Sequence, residues 1–262
     1  MLGAGMAETI DTRLVAGASL ESSPAIGREW SQGNLRGWSY GEIRPELAAA
    51  LQEWAAKGRV ENGEELAQGS VFRSGEWVVK FFPPPSLFGW WREARSRRAA
   101  ERYHELLPIP SPRPLFASRR FANGSCMLVR HFVAGRLLSE LWNRDAAACD
   151  ALPAFLAQMQ LRRVLHGDLH PRNLLWTGEH WILLDVDGVR HGLHNPARVK
   201  RAQWAQLLLH LGDEDGLRRA HARTLELLRA GHAAESRWRA ILRQAERMRR
   251  AHQRPRRSSS TA

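Results

Sequence analysis

From Pro45 to Lys57 the apolar positions recur at helical spacing. Leu47, Leu51 and Trp54 share one face, Pro45 suits a first turn, and Gly58 is placed to end the helix. The period then shortens. Leu66 to Arg73, a Ser74-Gly75 turn and Glu76 to Phe82 predict a hairpin. Pro83, Pro84 and Pro85 break it, and Glu93 to Leu107 predicts a helix with Ala99, Ala100, Tyr103 and Leu106 on its buried side. A proline-rich connector, Pro108 to Pro114, leads towards a buried strand, Cys126 to Val133, that ends before Gly135. A helix from Asp150 to Arg163 turns Phe155, Leu156 and Met159 inward. Val164-Leu165 then reads as a short strand, followed by a polar loop and a second apolar strand, Trp181 to Leu184.

Beyond Arg190 the pattern is helical to the end. Asn195 and Pro196 predict a cap and first turn, with Trp204, Leu208 and Leu211 on one face and Gly212 closing. Leu217, His221, Leu225 and Leu228 mark a second helix. Trp238, Ile241, Leu242, Ala245 and Met248 mark a third. Residues 1 to 25 carry no period and are expected to be a flexible N-terminus. No apolar run approaches a membrane span of about 18 residues, and no secretion signal is evident.

Charge changes the picture more than composition does. The chain of 262 residues carries 39 Lys and Arg against 27 Asp and Glu, a net of +12. Residues 196 to 262 hold sixteen basic against six acidic side chains, so +10 of that charge lies at one end. Nine Arg fall between Arg237 and Arg257, opposed only by Glu246. An asymmetry of this kind points to an acidic partner: an anionic glycan or glycolipid, a membrane surface, or nucleic acid. Eleven Trp outnumber the eight Phe and two Tyr, and indole rings suit both sugar faces and membrane interfaces. Two cysteines, Cys126 and Cys149, make no disulfide framework, which fits a reducing cytoplasm. His166, His170, His191 and His194 cluster in sequence, without the ligand spacing of a zinc site.

The chemistry concentrates in His166-Gly167-Asp168-Leu169-His170-Pro171-Arg172-Asn173-Leu174-Leu175 and in Leu184-Asp185-Val186-Asp187. Asp168 and Asn173 are five positions apart, and Asp185 lies seventeen beyond Asp168. Phosphoryl transfer by the kinase route needs a carboxylate near the acceptor hydroxyl, with an amide oxygen and a second carboxylate on the metal ions. A loop carrying Asp and Asn at this spacing, closed by a hairpin that ends in Asp, supplies those parts from one rigid element.

At these residues the chain resembles the protein-kinase-like phosphotransferases. HGDLHPRN is similar to the loop shared by aminoglycoside kinases and lipopolysaccharide core sugar kinases. Leu184 to Arg190 resembles the D-x-D variant of the latter, the Kdo and heptose kinases, as does the proline connector. The likeness runs, more weakly, over about residues 60 to 210. It implies an α+β, bilobal, protein-kinase-like fold: a β-rich N-lobe over residues 26–133, a mostly helical C-lobe over 134–255, and a tail over 256–262.

The resemblance also implies roles. ATP and Mg2+ would be the cofactors. Lys80, within a β-branched and aromatic strand, would hold the α- and β-phosphates. Gly69 and Ser70 would form a thin phosphate loop, and Glu101, or else Glu93, would hold the lysine head group. The hinge around Arg130, His131 and Val133 would offer its backbone to adenine. Asp168 would orient or deprotonate the acceptor, while Asn173 and Asp185, supplemented by Asp187 if the strand continues, would bind Mg2+. Gly167 stands where protein kinases carry the Arg that pairs with a phosphorylated activation loop, so a constitutively active enzyme with a non-protein acceptor is expected. The expected reaction phosphorylates a hydroxyl of a core sugar or similar anionic glycan, at the cytoplasmic face of the membrane. Two alternatives are a small-molecule kinase of the aminoglycoside type, whose cationic substrates the basic C-lobe would repel, and a non-catalytic kinase-like binding protein.

Overall fold

The computed structural model describes residues 27–67, 69–84, 95–105, 109–186, 189–190 and 196–253. The chain opens with a hairpin, β1 (Arg28–Gln32) and β2 (Leu35–Ser39), followed by α1 (Pro45–Lys57). Then come β3 (Glu64–Ala67), β4 (Val71–Ser74), β5 (Trp77–Phe82), α2 (Arg95–Glu105), β6 (Pro114–Ser118) and β7 (Cys126–His131). Among the described residues these seven strands form one antiparallel sheet in the order β1-β2-β6-β7-β5-β4-β3.

Both faces of that sheet are covered, and β7 shows it residue by residue. Cys126 and Leu128 join the core that contains Ala99, Ala100 and Tyr103 of α2. Met127 and Val129 join the one that contains Leu47, Leu51 and Trp54 of α1. Two covered faces explain why β7 reads as an unbroken apolar run rather than an alternation. On β5, Lys80 shares strand parity with Phe82, which belongs to the α2 side. The β1–β2 hairpin, which no hydrophobic period marks, is recruited through β2–β6 pairing. Gly37 is required there, because a Cβ would lie 2.4 Å from the Ala117 carbonyl.

Past His131 the chain becomes helical. It runs through β8 (Arg136–Leu137), α3 (Leu138–Leu141), α4 (Ala146–Leu161), β9 (Leu165–His166), β10 (Leu174–Trp176), β11 (Trp181–Leu183) and β12 (Val189–Arg190). Three helices close it: α5 (Pro196–Leu211), α6 (Glu214–Leu227) and α7 (Ala234–Gln253). The result is a β-rich part followed by a helical part. Helix α4 starts four residues before the predicted Asp150 because Asp145 caps it, its carboxylate accepting from the Ala148 N–H at 3.0 Å. The expected cap at Asn195 lies outside the described residues.

The two parts are joined through side chains and backbone. One continuous core runs from Trp38, Phe82 and Leu128 in the sheet to Trp204, Trp238 and Ile241 in the terminal helices. The proline connector takes part, with the Leu183 N–H of β11 donating to the Pro110 carbonyl at 2.9 Å. Gly135 lets the chain pass from the sheet to β8. A Cβ there would lie 2.5 Å from the Trp176 carbonyl on β10.

Candidate functional site

The polar loop between β9 and β10 is held by its own hydrogen bonds. The Asp168 carbonyl accepts from the His170 N–H at 2.8 Å and from the Asn173 side-chain Nδ2 at 3.0 Å. Asn173 thus spends its amide nitrogen on the loop and keeps Oδ1 for another partner. Pro171 to Asn173 form a single 3-10 turn, which the His170 ring caps by accepting from the Arg172 N–H. The Asp168 side chain is exposed at the rim of this loop.

A single buried ring ties that loop to the next. His166, 1% exposed, accepts the Asp168 N–H on Nδ1 at 3.2 Å and meets the Asp185 carbonyl with Nε2 at 2.7 Å. Since Nδ1 is the acceptor, Nε2 carries the proton and donates. Burial pushes the ring's pKa down, which keeps it in this neutral form. Asp185 itself adopts a left-handed backbone with φ of 49°. For a residue other than glycine that conformation costs on the order of 1 kcal/mol or more, and such strain collects where side chains are aimed for use.

Asp185 is met from the sheet. Its Oδ1 accepts from Lys80 Nζ at 2.6 Å, a contact spanning 105 residues of sequence. Residues predicted separately on β5 and after β11 therefore come together. Glu101 does not join them. Its carboxylate accepts from Arg97 Nε at 2.8 Å one turn back along α2, in place of the expected lysine contact. An intrahelical partner at this spacing is satisfied without reaching across to the sheet. Glu93 and Asp187 lie outside the described residues.

Gly69 and Ser70 sit in the turn between β3 and β4, where Gly69 takes φ of 60°. The Gly69 N–H donates to the Glu65 carboxylate at 2.6 Å, so this turn already binds an anionic oxygen. At the end of β7, the Arg130 backbone is paired within the sheet and the His131 N–H donates to the Arg113 carbonyl. The Val133 backbone makes no hydrogen bond among the described residues, leaving one donor and one acceptor for a ligand. These observations fit the implied ATP and Mg2+. An anion-accepting glycine turn, a lysine and an open backbone segment suit the nucleotide, and a free amide oxygen and an exposed carboxylate suit a hard cation.

Reasoning from sequence missed the bridging role of His166, Glu65 at the glycine turn, and His210. The first two had a local signal, a histidine just before the Asp168 loop and an acid four residues before Gly69. His210 had none. At the end of α5, it reaches the loop only through the fold, with its ring 3.8 Å from that of His170.

No known family profile and no curated protein matches the chain. Among solved structures, the bifunctional kinase-methyltransferase WbdD is 15% identical over 71% of this chain and 50% of its own, with a TM-score of 0.49. In a second WbdD structure the match covers 52% of this chain and 33% of that one, at 19% identity and a TM-score of 0.40. The PknI kinase domain of Mycobacterium tuberculosis is 14% identical over 67% of this chain and 89% of its own, with a TM-score of 0.42. The chain thus spans half or less of the WbdD chains it matches.

Proposed function

We propose that this protein is an ATP- and Mg2+-dependent phosphotransferase acting on a hydroxyl of an anionic glycan, with a lipopolysaccharide core sugar as the leading acceptor. The observation that carries the reading is the meeting of Lys80 and Asp185 beside the Asp168–Asn173 loop, with His166 bonded to both loops. Mg-ATP would supply an activated phosphoryl group whose negative charge the metal offsets.

The chain's own groups would do the rest. The Gly69–Ser70 turn and Lys80 bind and orient the phosphates. Asn173 Oδ1 and the Asp185 carboxylate would hold the cation, and the Lys80 ammonium beside Asp185 would offset phosphate charge. Asp168 would position the acceptor hydroxyl and take up its proton as that oxygen bonds to the terminal phosphorus, whose bond to the β-phosphate oxygen breaks so that ADP leaves. His166 contributes by fixing the backbones of Asp168 and Asp185 relative to one another, which limits the misplacement that costs rate.

The site would work on the inner face of an anionic membrane, where a lipid-borne sugar is presented and the basic C-terminal helices are attracted. The test is a screen of purified protein with ATP and Mg2+ against core oligosaccharide, small sugars and aminoglycosides. Phosphorylated core oligosaccharide, identified by mass, is the expected product. Transfer to none of the three classes, with ATP bound, would leave a non-catalytic binding protein.

A further inference from the structure

Helix α2 lies on the sheet with its two flanks turned to different strands. Ser96, fully buried, donates from Oγ to the Ser118 carbonyl at 2.7 Å, which pins the start of the helix over the end of β6. One position later, Arg97 lies over the Trp38 ring of β2, 4.6 Å from its centroid, and holds Glu101 on that side. One position earlier, Arg95 lies over the Phe82 ring of β5, 5.5 Å from its centroid. In the sheet β6 and β7 stand between β2 and β5, which sets those two strands about 14 Å apart. Glu101 therefore misses Lys80 for a physical reason: it sits on the flank turned to β2. The flank turned to β5 presents an arginine.

Lys80 approaches the same ring from its own strand. Its Nζ is 5.2 Å from the Phe82 centroid and 2.6 Å from Asp185 Oδ1. One ring, 2% exposed, thus carries two cations, and the sum of their two distances to it bounds their separation. Lys80 has Asp185 as a counter-charge. Arg95 is exposed and has no acidic partner among the described residues, and the first turn of α2 contains no acid. Three positions on, along the same flank, Arg98 keeps its Nε buried with no hydrogen-bond partner among the described residues. Contact with an aromatic ring uses the face of a guanidinium and leaves its N–H edge for an oxyanion. Two cations drawn to one ring repel each other, and an anion that reaches both relieves the repulsion.

We propose that Arg95 is a second phosphate-binding residue beside Lys80, taking on its guanidinium edge a phosphate group of the nucleotide or of the acceptor sugar. This deepens the phosphotransferase reading and rests on it for the presence of a phosphate ligand. Helix α2 was expected to act on Lys80 through a glutamate; it acts instead on the phosphate itself, through an arginine. A bidentate fork at this position adds direction to the point charge of the lysine.

The test is calorimetric titration of the full chain with Mg-ATP, adenosine and glucose 6-phosphate, in the unmodified protein, Arg95→Gln and Arg97→Gln. Mg-ATP binding should weaken by about tenfold in Arg95→Gln, the loss expected for one charge-assisted contact. Adenosine, which has no phosphate, should bind both proteins alike. Arg97→Gln, on the opposite flank, should bind Mg-ATP as the unmodified protein does. A loss confined to glucose 6-phosphate, with Mg-ATP bound as before, also supports the role and assigns the phosphate to the acceptor. Unchanged binding of both phosphate ligands in Arg95→Gln overturns the proposal. An equal loss for adenosine and Mg-ATP, or the same loss in Arg97→Gln, overturns it too, because a displaced helix would produce either. If the unmodified protein binds Mg-ATP and Arg95→Gln matches it with both ligands, the role of Arg95 falls and the kinase reading stands. An unmodified protein that binds no Mg-ATP removes the kinase reading and the role of Arg95 with it.

Discussion

Asp168 and Lys80 divide the proposed work, and their variants should fail differently. Asp168→Ala is expected to lower turnover by about 10²–10⁴-fold, the range for a positioned acid or base, while Mg-ATP binding measured by calorimetry persists. Lys80→Ala should instead weaken the use of ATP. Full activity in both variants on a confirmed acceptor would refute the assignment. Asp185 is expected to matter more than Asp187, since it meets both Lys80 and His166. Metal titrations in which Asp187→Asn is the more damaged variant would move the ligand by two positions. Glu65 acts in the opposite sense. Its carboxylate occupies the Gly69 N–H that a phosphate oxygen would need. Glu65→Gln should therefore tighten ATP binding by roughly up to fivefold, the size of an exposed charged contact; unchanged or weaker binding would show that the contact does not compete.

Helix α6 holds a pH-sensitive element away from the site. His221 is 4% exposed and packs between Trp204 and Trp238, with ring centroids at 5.1 and 5.6 Å. Burial, with Arg237 nearby as a lesser cause, lowers its pKa to about 4. The folded protein therefore holds this ring neutral, while the unfolded chain protonates it near pH 6.5. The stabilising difference is present above that pH and is lost as pH falls from about 6.5 towards 4. By linkage it amounts to about 3 kcal/mol at most. His221→Leu should flatten the fall in urea midpoint between pH 7.5 and pH 5. Parallel falls in both proteins would assign the acid sensitivity elsewhere, with His166 the next buried ring of the same sign. The start of α6 is secured separately by Asp213, which accepts from the Gly216 N–H at 2.9 Å and from Trp142 Nε1 and Asn143 Nδ2 at 3.0 Å. Removing that cap as Asp213→Ala should cost about 0.5–2 kcal/mol in denaturant unfolding.

The distribution of charge over the molecule has a consequence of its own. Among the described residues, no helix is long and apolar enough to cross a membrane. Trp238 and Ile241 of α7 are buried, so its apolar stripe is used in the core. Its outer side is basic: Glu235 pairs with Arg218 and Arg239, and Glu246 with Arg249 and Arg250, while Arg243 and Arg247 have no acidic partner among the described residues. Each uncompensated cation near an anionic bilayer contributes about 1 kcal/mol within a Debye length of about 8 Å. Binding to anionic vesicles that fades by about 0.5 M salt, with none to neutral vesicles, is expected from a sedimentation assay. Arg243→Glu with Arg247→Glu should abolish most of it. A folded double variant that still sediments normally would make these arginines a solvated face or a nucleic-acid contact.

Helix stripes were legible because a 3.6-residue period needs only one apolar face. So α1 and α5 emerge at the expected bounds, and the outer helix α7 merely extends beyond its stripe. The Asp168–Asn173 loop was legible because its hydrogen bonds close within five residues. The β1–β2 hairpin was not, since its place depends on pairing β2 with β6 across two helices and three strands. Glu101 shows the limit most clearly. Sequence placed a glutamate on the right helix, yet its partner was decided by competition between Arg97 one turn away and Lys80 across the fold. Sequence by itself determined which chemical groups the chain owns and the order in which they come. Only the tertiary structure decided that Lys80 meets Asp185, that one buried histidine spans two loops, and that the end of α5 reaches the Asp168 loop. Contacts of that kind depend on the directions in which helices and strands leave a shared core, and no local pattern of residues encodes those directions.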